Sequence, residues 1–287
     1  MTKKTILITG CSSGIGLDAA QALQKRGYQV IASCRKKEDQ QHLIALGLDA
    51  VLLDVNDSGS IKTAFAEVLT KTGGHLDVLI NNAGYGQVGA LEDVSREALR
   101  QQFETNVFGL MELSALAIPV MRQQGQGRII NISSILGIIS IPFRGAYNAS
   151  KYAVEGISDT LRLELKSSGI KVIAIEPGPI ESRFRDNCVE STFTTIHPEK
   201  SHFNAQYTKL IQSHKETGSN SLFTKTPEAV IAKLIHAIES KRPRAKYPVT
   251  FPAHVMIFLK RILSTNMLDR FLLRVSKSEL APVDKNG

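Results

Sequence analysis

Tyr147 and Lys151 stand four residues apart in Tyr147-Asn-Ala-Ser-Lys151, a segment whose helical apolar spacing continues through Val154, Ile157 and Leu161. On a helix, residues four apart share a face, so the phenol and the ammonium can point into one cleft. A fixed ammonium favours the phenolate and is expected to lower the tyrosine pKa from its free value of about 10. A phenol tuned that way can exchange a proton with an oxygen near neutral pH. Ser134 closes the apolar run Arg128-Ile-Ile-Asn-Ile-Ser-Ser134, which reads as a buried parallel strand. Strand ends and the first turns of following helices meet at the carboxyl edge of such a sheet, where open α/β sheets bind ligands. The Ser134 hydroxyl is therefore expected to bond the same substrate oxygen that Tyr147 protonates. The Tyr-x-x-x-Lys spacing alone fits a helix-surface aromatic equally well, so the decision rests with the elements around it.

The first of these elements is at the N-terminus. Lys3–Thr9 reads as a short buried strand that runs into Gly10-Cys-Ser-Ser13-Gly14-Ile15-Gly16, and a helix follows. Strand, glycine turn and helix form the context of a phosphate-binding fingerprint. Glycine lets the backbone approach a pyrophosphate, and the helix start offers free N–H groups and partial positive charge. The next strand, Tyr28–Ser33, ends beside the position of an adenosine ribose. An acidic residue there would mark NAD. The chain instead has Cys34-Arg35-Lys36-Lys37, which suits a 2′-phosphate, with Arg35 as its main reader and Lys36 and Lys37 as a solvated basic turn. The expected cofactor is NADP.

Further strands are expected at Ala50–Leu53, Leu76–Ile80, Lys171–Ile175 and Lys246–Thr250. Asp54-Val55 closes the first of these, and Asp54 either accepts a bond from the adenine amino group or caps the helix starting near Asp57. Leu76–Ile80 leads into Asn81-Asn82-Ala83-Gly84, small residues that let the main chain lie against the cofactor while the asparagines tie strands together. A helix is expected over Gln101–Val120 with Asn106 inside it, either locally bonded or part of a site. After Lys171–Ile175, Glu176-Pro177-Gly178-Pro179 forces a turn over the nicotinamide side. The stretch from Glu181 to about Lys225 is polar and reads as irregular, a substrate lid. Its histidines lack metal-like spacing, and no metal is expected. A helix is expected from about Pro227 to Ser240, with Thr226 as cap.

Composition narrows the class. The chain has 287 residues, 43% hydrophobic and 22% charged, which suits a globular domain with a substantial core. Three scattered cysteines without metal spacing suggest a reducing compartment, and no apolar run approaches a membrane span, so the expected location is the cytoplasm. Net charge is +8, and residues 241–287 carry ten Lys or Arg against three Asp or Glu. No stacking aromatics accompany this basic tail, so nucleic acid is not the expected partner. Within His254–Val275, Val255, Leu259, Ile262 and Leu263 form one apolar stripe, and Leu268, Phe271, Leu272 and Val275 another. Packing on the body, covering the substrate mouth, dimer contact and membrane-surface attachment all fit, the first being the plainest.

Taken together, Thr9–Gly16, Asn81–Gly84, Asn106, Ser134, Tyr147-x-x-x-Lys151 and Pro177-Gly178 resemble the short-chain dehydrogenase/reductase family over roughly Lys4–Thr250. The similarity is strongest to its NADP-preferring branch, including 17β-hydroxysteroid and retinol dehydrogenases and bacterial aldehyde reductases. The resemblance implies an α/β fold: a doubly wound parallel sheet of about seven strands, the Rossmann fold. Residues 1–250 would form the dinucleotide-binding and catalytic domain, with a lid at about 181–225, and residues 251–287 an amphipathic helical extension. It implies Tyr147 as general acid or base and Lys151 as the group that lowers its pKa and holds the nicotinamide ribose. Ser134 would polarise the carbonyl; Ser133, its rival, is one residue too far from Tyr147. Asn106 would anchor a proton-relay water. Gly10, Ser13, Gly14, Ile15, Gly16, Arg35, Asp54, Val55, Asn81, Ala83, Gly84, Pro177, Gly178, Ile180 and Ser182 would line the cofactor. The implied activity is NADP(H)-dependent interconversion of an apolar carbonyl compound and its alcohol, in a homodimer or homotetramer. A steroid or retinoid alcohol dehydrogenase is one alternative, and a non-catalytic NADP-binding protein acting at a membrane or partner is another.

Overall fold

Seven strands and ten helices make up the described part of the chain, residues 3–181, 184, 188, 195–216 and 224–280 of a computed structural model. The strands are β1 (Thr5–Ile8), β2 (Gln29–Cys34), β3 (Asp49–Leu52), β4 (Val78–Asn81), β5 (Gly127–Ile132), β6 (Ile170–Glu176) and β7 (Lys246–Pro248). They form one all-parallel sheet in the order β3-β2-β1-β4-β5-β6-β7. Each expected strand is present within a residue or two. The order reverses between β1 and β4, and the chain leaves both strands at the same edge, opening a crevice there.

Strand alternation explains why both faces need helices. Ile6, Ile8, Val30, Ile80, Ile130 and Ile173 point to one face, where they pack on α1 (Gly14–Lys25) and α8 (Glu228–Glu239). Leu7, Ile31, Val51, Leu79, Ile129 and Val172 point to the other, against α3 (Ser58–Thr72), α5 (Gly109–Gln123) and α6 (Gly145–Glu164). A strand apolar at every position must be covered on both sides, which produces the doubly wound arrangement.

The structure corrects several expectations. The helix around Asn106 begins earlier, as α4 (Arg96–Phe103), and reaches α5 through a π turn at Glu104–Phe108. Lys37, read with Lys36 as a solvated basic turn, is the first residue of α2 (Lys37–Ala45). Asp54 does not cap the next helix: Asp57 is the cap, its side chain accepting from Ser60 N at 2.8 Å, while Asp54 accepts from Asn56 N. Pro227 rather than Thr226 occupies the cap of α8. The stretch read as irregular contains α7 (Asn204–Glu216). Phe203, Tyr207 and Leu210 recur at helical spacing and pack with Ala90, Phe143 and Ile196, giving that helix an apolar face. The tail forms α9 (Phe251–Ile262) and α10 (Thr265–Leu280). In α9 the inward residues are Ala253, Met256 and Ile257, not the Val255–Leu259–Ile262 stripe, and Ile262 is exposed.

Candidate active site

The crevice is built around the glycine turn after β1. Gly10 and Gly14 have φ of 71° and 60°, left-handed values that favour glycine. A Cβ at Gly16 would run into the Gly10 carbonyl oxygen and stand 2.5 Å from Asn82 Nδ2, so α1 seats against the turn only because Gly16 lacks one. Ser13 caps α1 from an extended backbone without using its side chain, and the first turn carries no acidic residue. The leading amides of α1 thus remain available to an anion, with Ile15 packed beneath them on the core. Thr9 Oγ1 accepts from the amides of Asn82 and Ala83, and Asn82 Nδ2 donates to the carbonyls of Thr9 (2.8 Å) and Gly10 (3.0 Å). Asn82 therefore clamps the glycine turn to the loop after β4, a role that sequence reasoning assigned only loosely to either asparagine. Asn81 is turned inward, donating to Ser114 Oγ and Asn131 Oδ1, so its side chain ties strands and does not line the crevice.

Arg35 follows β2 directly, exposed, with no hydrogen bond or ion pair among the described residues. No carboxylate occupies the end of that strand. Glycine turn, uncovered helix amides and this guanidinium fit a dinucleotide carrying an extra phosphate. Asp54 and the buried Val55 lie after β3, where Val55 O sits so close to Gly109 that a Cβ there would collide.

Tyr147, Lys151, Ser134 and Asn106 converge beside this crevice. Tyr147 and Lys151 lie in the first two turns of α6, both buried, with Lys151 Nζ 5.7 Å from the phenol ring centre. Lys151 donates to the Ile132 carbonyl at 2.7 Å, at the end of β5. Ser134 Oγ accepts from Leu136 N at 3.1 Å, and its hydroxyl interacts with the Tyr147 phenol in the direction that favours ionisation. The acceptor lone pair is thus partly used by the backbone and the hydroxyl hydrogen is left for the cleft. Ser133, the rival, has its Oγ buried without a hydrogen-bond partner among the described residues. Asn106, on the π turn, accepts from Tyr85 N (3.1 Å) and donates to Tyr85 O (2.9 Å) and Ser150 Oγ (3.0 Å). A Cβ at Gly84 would lie 3.0 Å from Asn106 Oδ1 and 3.8 Å from Lys151 Nζ, so this glycine keeps the passage between them open. Ser150, absent from the sequence-derived site, positions Asn106; nothing in its type or spacing distinguishes it from an ordinary helical serine.

Burial changes the electrostatics from those expected. Desolvation raises the Tyr147 pKa above its ordinary value, with Ser134 pulling weakly the other way. The same burial lowers Lys151 to about 8, opposed by Glu155 one turn on. The expected lowering of the phenol by the lysine is therefore not what the chain alone displays, because burial outweighs it. The Phe184 ring lies tilted against the Tyr147 ring with centres 5.4 Å apart, and Gly86 lies against Phe184, Cys188 and Tyr147, giving the phenol apolar walls.

The Glu176–Pro179 turn closes the far side. Pro177 O accepts from Ile135 N at 2.9 Å, and Gly178 lies against Thr250 Oγ1 so tightly that a Cβ would collide. Ile180 pairs with Lys225 and packs on the core below the crevice. Ser182 lies outside the described residues. Among the described residues, no group of His, Cys, Asp or Glu could hold a metal ion. None of the described helices is long and apolar enough to cross a membrane.

A family model described as short chain dehydrogenase matches residues 4–192. The uncharacterized oxidoreductase YbbO of Escherichia coli (strain K12) is 42% identical over 270 residues, covering 94% of each chain. Retinol dehydrogenase 8 of Homo sapiens is 34% identical over 282 residues, covering 92% of this chain and 87% of its own. The closed form of serine dehydrogenase complexed with NADP+ matches over 86% of this chain and 94% of its own, with a TM-score of 0.71 and 25% identity.

Proposed function

Because this chain belongs to the short-chain dehydrogenase family, as a dehydrogenase/reductase acting on CH–OH groups, we propose that it reduces apolar aldehydes or ketones with NADPH. The observation that carries this reading is the convergence of Asn106, Ser134, Tyr147 and Lys151 on one cleft beside the glycine turn. Residues 1–250 serve as the dinucleotide-binding and catalytic unit, with a lid at about 181–225, and residues 251–287 as an extension.

The bound nicotinamide supplies the hydride; alignment and proton handling belong to the protein. Gly10, Ser13, Gly14, Ile15 and Gly16 hold the pyrophosphate, Arg35 the 2′-phosphate, and Asp54, Val55 and the Ala83-Gly84 main chain the adenosine side. Asn81 contributes through its backbone. Lys151, Pro177, Gly178, Ile180 and Ser182 hold the nicotinamide end. Ser134 donates its hydroxyl hydrogen to the substrate carbonyl oxygen. Tyr147 then gives its proton to that oxygen as the carbonyl carbon becomes the alcohol carbon, and regains a proton through Lys151 and a water held at Asn106. Burial keeps the phenol protonated, which supports work in the reductive direction. Phe184 and Gly86 beside the phenol support an apolar substrate. The similarity to retinol dehydrogenase 8 favours a retinoid or steroid alcohol as the second reading. Phe108 and Leu163, 52% and 67% exposed on the long helices, support pairing of copies into a homodimer or homotetramer. Three buried thiols that form no disulfide support a reducing, cytoplasmic setting.

The test is NADPH and NADH oxidation across a panel of aldehydes, ketones and steroids. Tyr147→Phe should cut turnover by roughly 10²–10⁴ while NADPH binding persists. Arg35→Ala should cost NADPH roughly tenfold or more and leave NADH nearly unchanged. Equal use of both cofactors by the unmodified chain removes the role of Arg35, and full turnover by Tyr147→Phe overturns the catalytic assignment.

A further inference from the structure

The C-terminal extension packs on the body and yet keeps a second apolar face outside. Its inward residues, among them Ala253, Met256 and Leu272, meet Ile135 and Ile139 in the segment that follows Ser134. Lys260 also faces inward, donating to the Ile138 carbonyl and, at 2.9 Å, to the Tyr152 hydroxyl. With that face satisfied, Phe251, Val255, Phe258 and Ile262 recur at spacings of four, three and four, which places them on one line along the opposite side of α9. Phe251, Phe258 and Ile262 are 69%, 60% and 58% exposed. On α10, Met267 and Leu273 are exposed as well.

The charges beside this ridge are predominantly positive. Arg261, Arg270 and Arg274 are exposed and form no ion pair among the described residues, and Asp269 is the one acidic residue between positions 251 and 276. We infer that the outer face of α9 and α10 docks on an anionic phospholipid surface, with the apolar ridge entering the headgroup boundary and the arginines meeting lipid phosphates. A helix with large apolar side chains on one line and cations at its flanks has the form of an interfacial helix. The ridge consists of large side chains standing exposed along one helix line, which suits a fluid occupant that moulds around side chains. An isologous contact with a second copy would set this basic face against itself. Docking also bears on the catalytic cleft. The inner side of the same helices rests on the segment after Ser134, and Thr250, the cap of α9, rests on Gly178.

The experiment is co-sedimentation of the full chain with phosphatidylcholine vesicles, with or without phosphatidylglycerol, at low and high salt. The expected result is binding to the mixed vesicles that weakens with salt and is far weaker on phosphatidylcholine alone. Phe258→Glu with Ile262→Glu should reduce partitioning by about tenfold or more. Replacing Arg261, Arg270 and Arg274 by Gln should reduce it by roughly fivefold per residue. Both variants should keep the unmodified chain's circular dichroism and thermal midpoint. Vesicle binding needs no turnover, so it stands or falls separately from the reductase reading. Failure of the unmodified chain to bind mixed vesicles overturns the inference, as does equal sedimentation of the Phe258→Glu, Ile262→Glu chain. A fall in molecular mass in that variant, with vesicle binding unchanged, would assign the ridge to a second copy instead.

Discussion

At the scale of single residues, one burial acts on two groups in opposite senses. Desolvation disfavours whichever form is charged, so it raises the Tyr147 phenol and lowers Lys151 to about 8. The folded chain therefore loses the Lys151 ammonium as pH rises through about 8, well below the ordinary lysine value of 10.5. If the ammonium is needed to hold cofactor and steer the phenol's proton, kcat/KM for NADPH should fall about tenfold per pH unit above that point. Lys151→Arg, which stays charged, should flatten this limb even if its absolute rate is lower. A pH–rate profile of both proteins checks it, and an unchanged limb in the arginine variant would assign the titration elsewhere. Tyr147 and Lys151 stood out as candidates only when their type and spacing were read together with the motifs around them. The upward direction of the phenol's shift was not legible, because it follows from burial by residues distant in the chain such as Phe184 and Gly86.

At the scale of elements, the cofactor crevice depends on how closely α1 approaches the loop after β4. Gly16 sits where any Cβ would strike the Gly10 carbonyl and crowd Asn82. Gly16→Ala should push α1 off the turn, weaken NADPH binding by roughly tenfold or more and destabilise the chain by about 1–3 kcal/mol. Calorimetry of binding and unfolding checks both; normal affinity would show that the turn can relax. The motif Gly10–Gly16 announces this element from sequence because glycine is demanded locally. The π turn at Glu104–Phe108 is different. Nothing in Glu-Thr-Asn-Val-Phe distinguishes a π turn from a weak helical turn, and the extra residue accompanies Asn106 reaching the Tyr85 backbone. Helix α7 was hidden for a related reason. Among the described residues its apolar side is marked by Tyr207 and Leu210, with Phe203 just before it, in a polar stretch. What fixes it is tertiary: the Tyr207 hydroxyl donates to Asp93 and accepts from Ala90 N, each at 2.8 Å.

At the scale of the whole molecule, a charged cluster joins α6 to the last two strands. Lys246 bonds Glu155 at 2.7 Å and Asp159 at 3.0 Å, and Glu176 lies buried beside them with one oxygen unpartnered. Burial, with Glu155 and Asp159 adding to it against Lys246, raises Glu176 from 4.5 to about 8. Between those values the folded chain holds a proton that the unfolded chain releases, so this group makes stability fall as pH rises from about 4.5 to 8. Glu176→Gln should remove that slope and, at pH near 8, stabilise the chain by on the order of 2 kcal/mol, or roughly 4–8 °C in Tm. Thermal unfolding against pH checks it, and parallel curves for the two proteins would rule it out. Sequence by itself determined the seven strands and the motifs at their ends, since period, glycine demand and side-chain chemistry act within a few residues, while the family resemblance implied the two-sided sheet. Sequence also determined that the tail is amphipathic and basic. Only the tertiary structure decided which stripe of that tail turns inward, which asparagine clamps the glycine turn, and which way burial moves the pKa of Tyr147. Those outcomes depend on neighbours brought from distant parts of the chain, and local spacing carries no record of them.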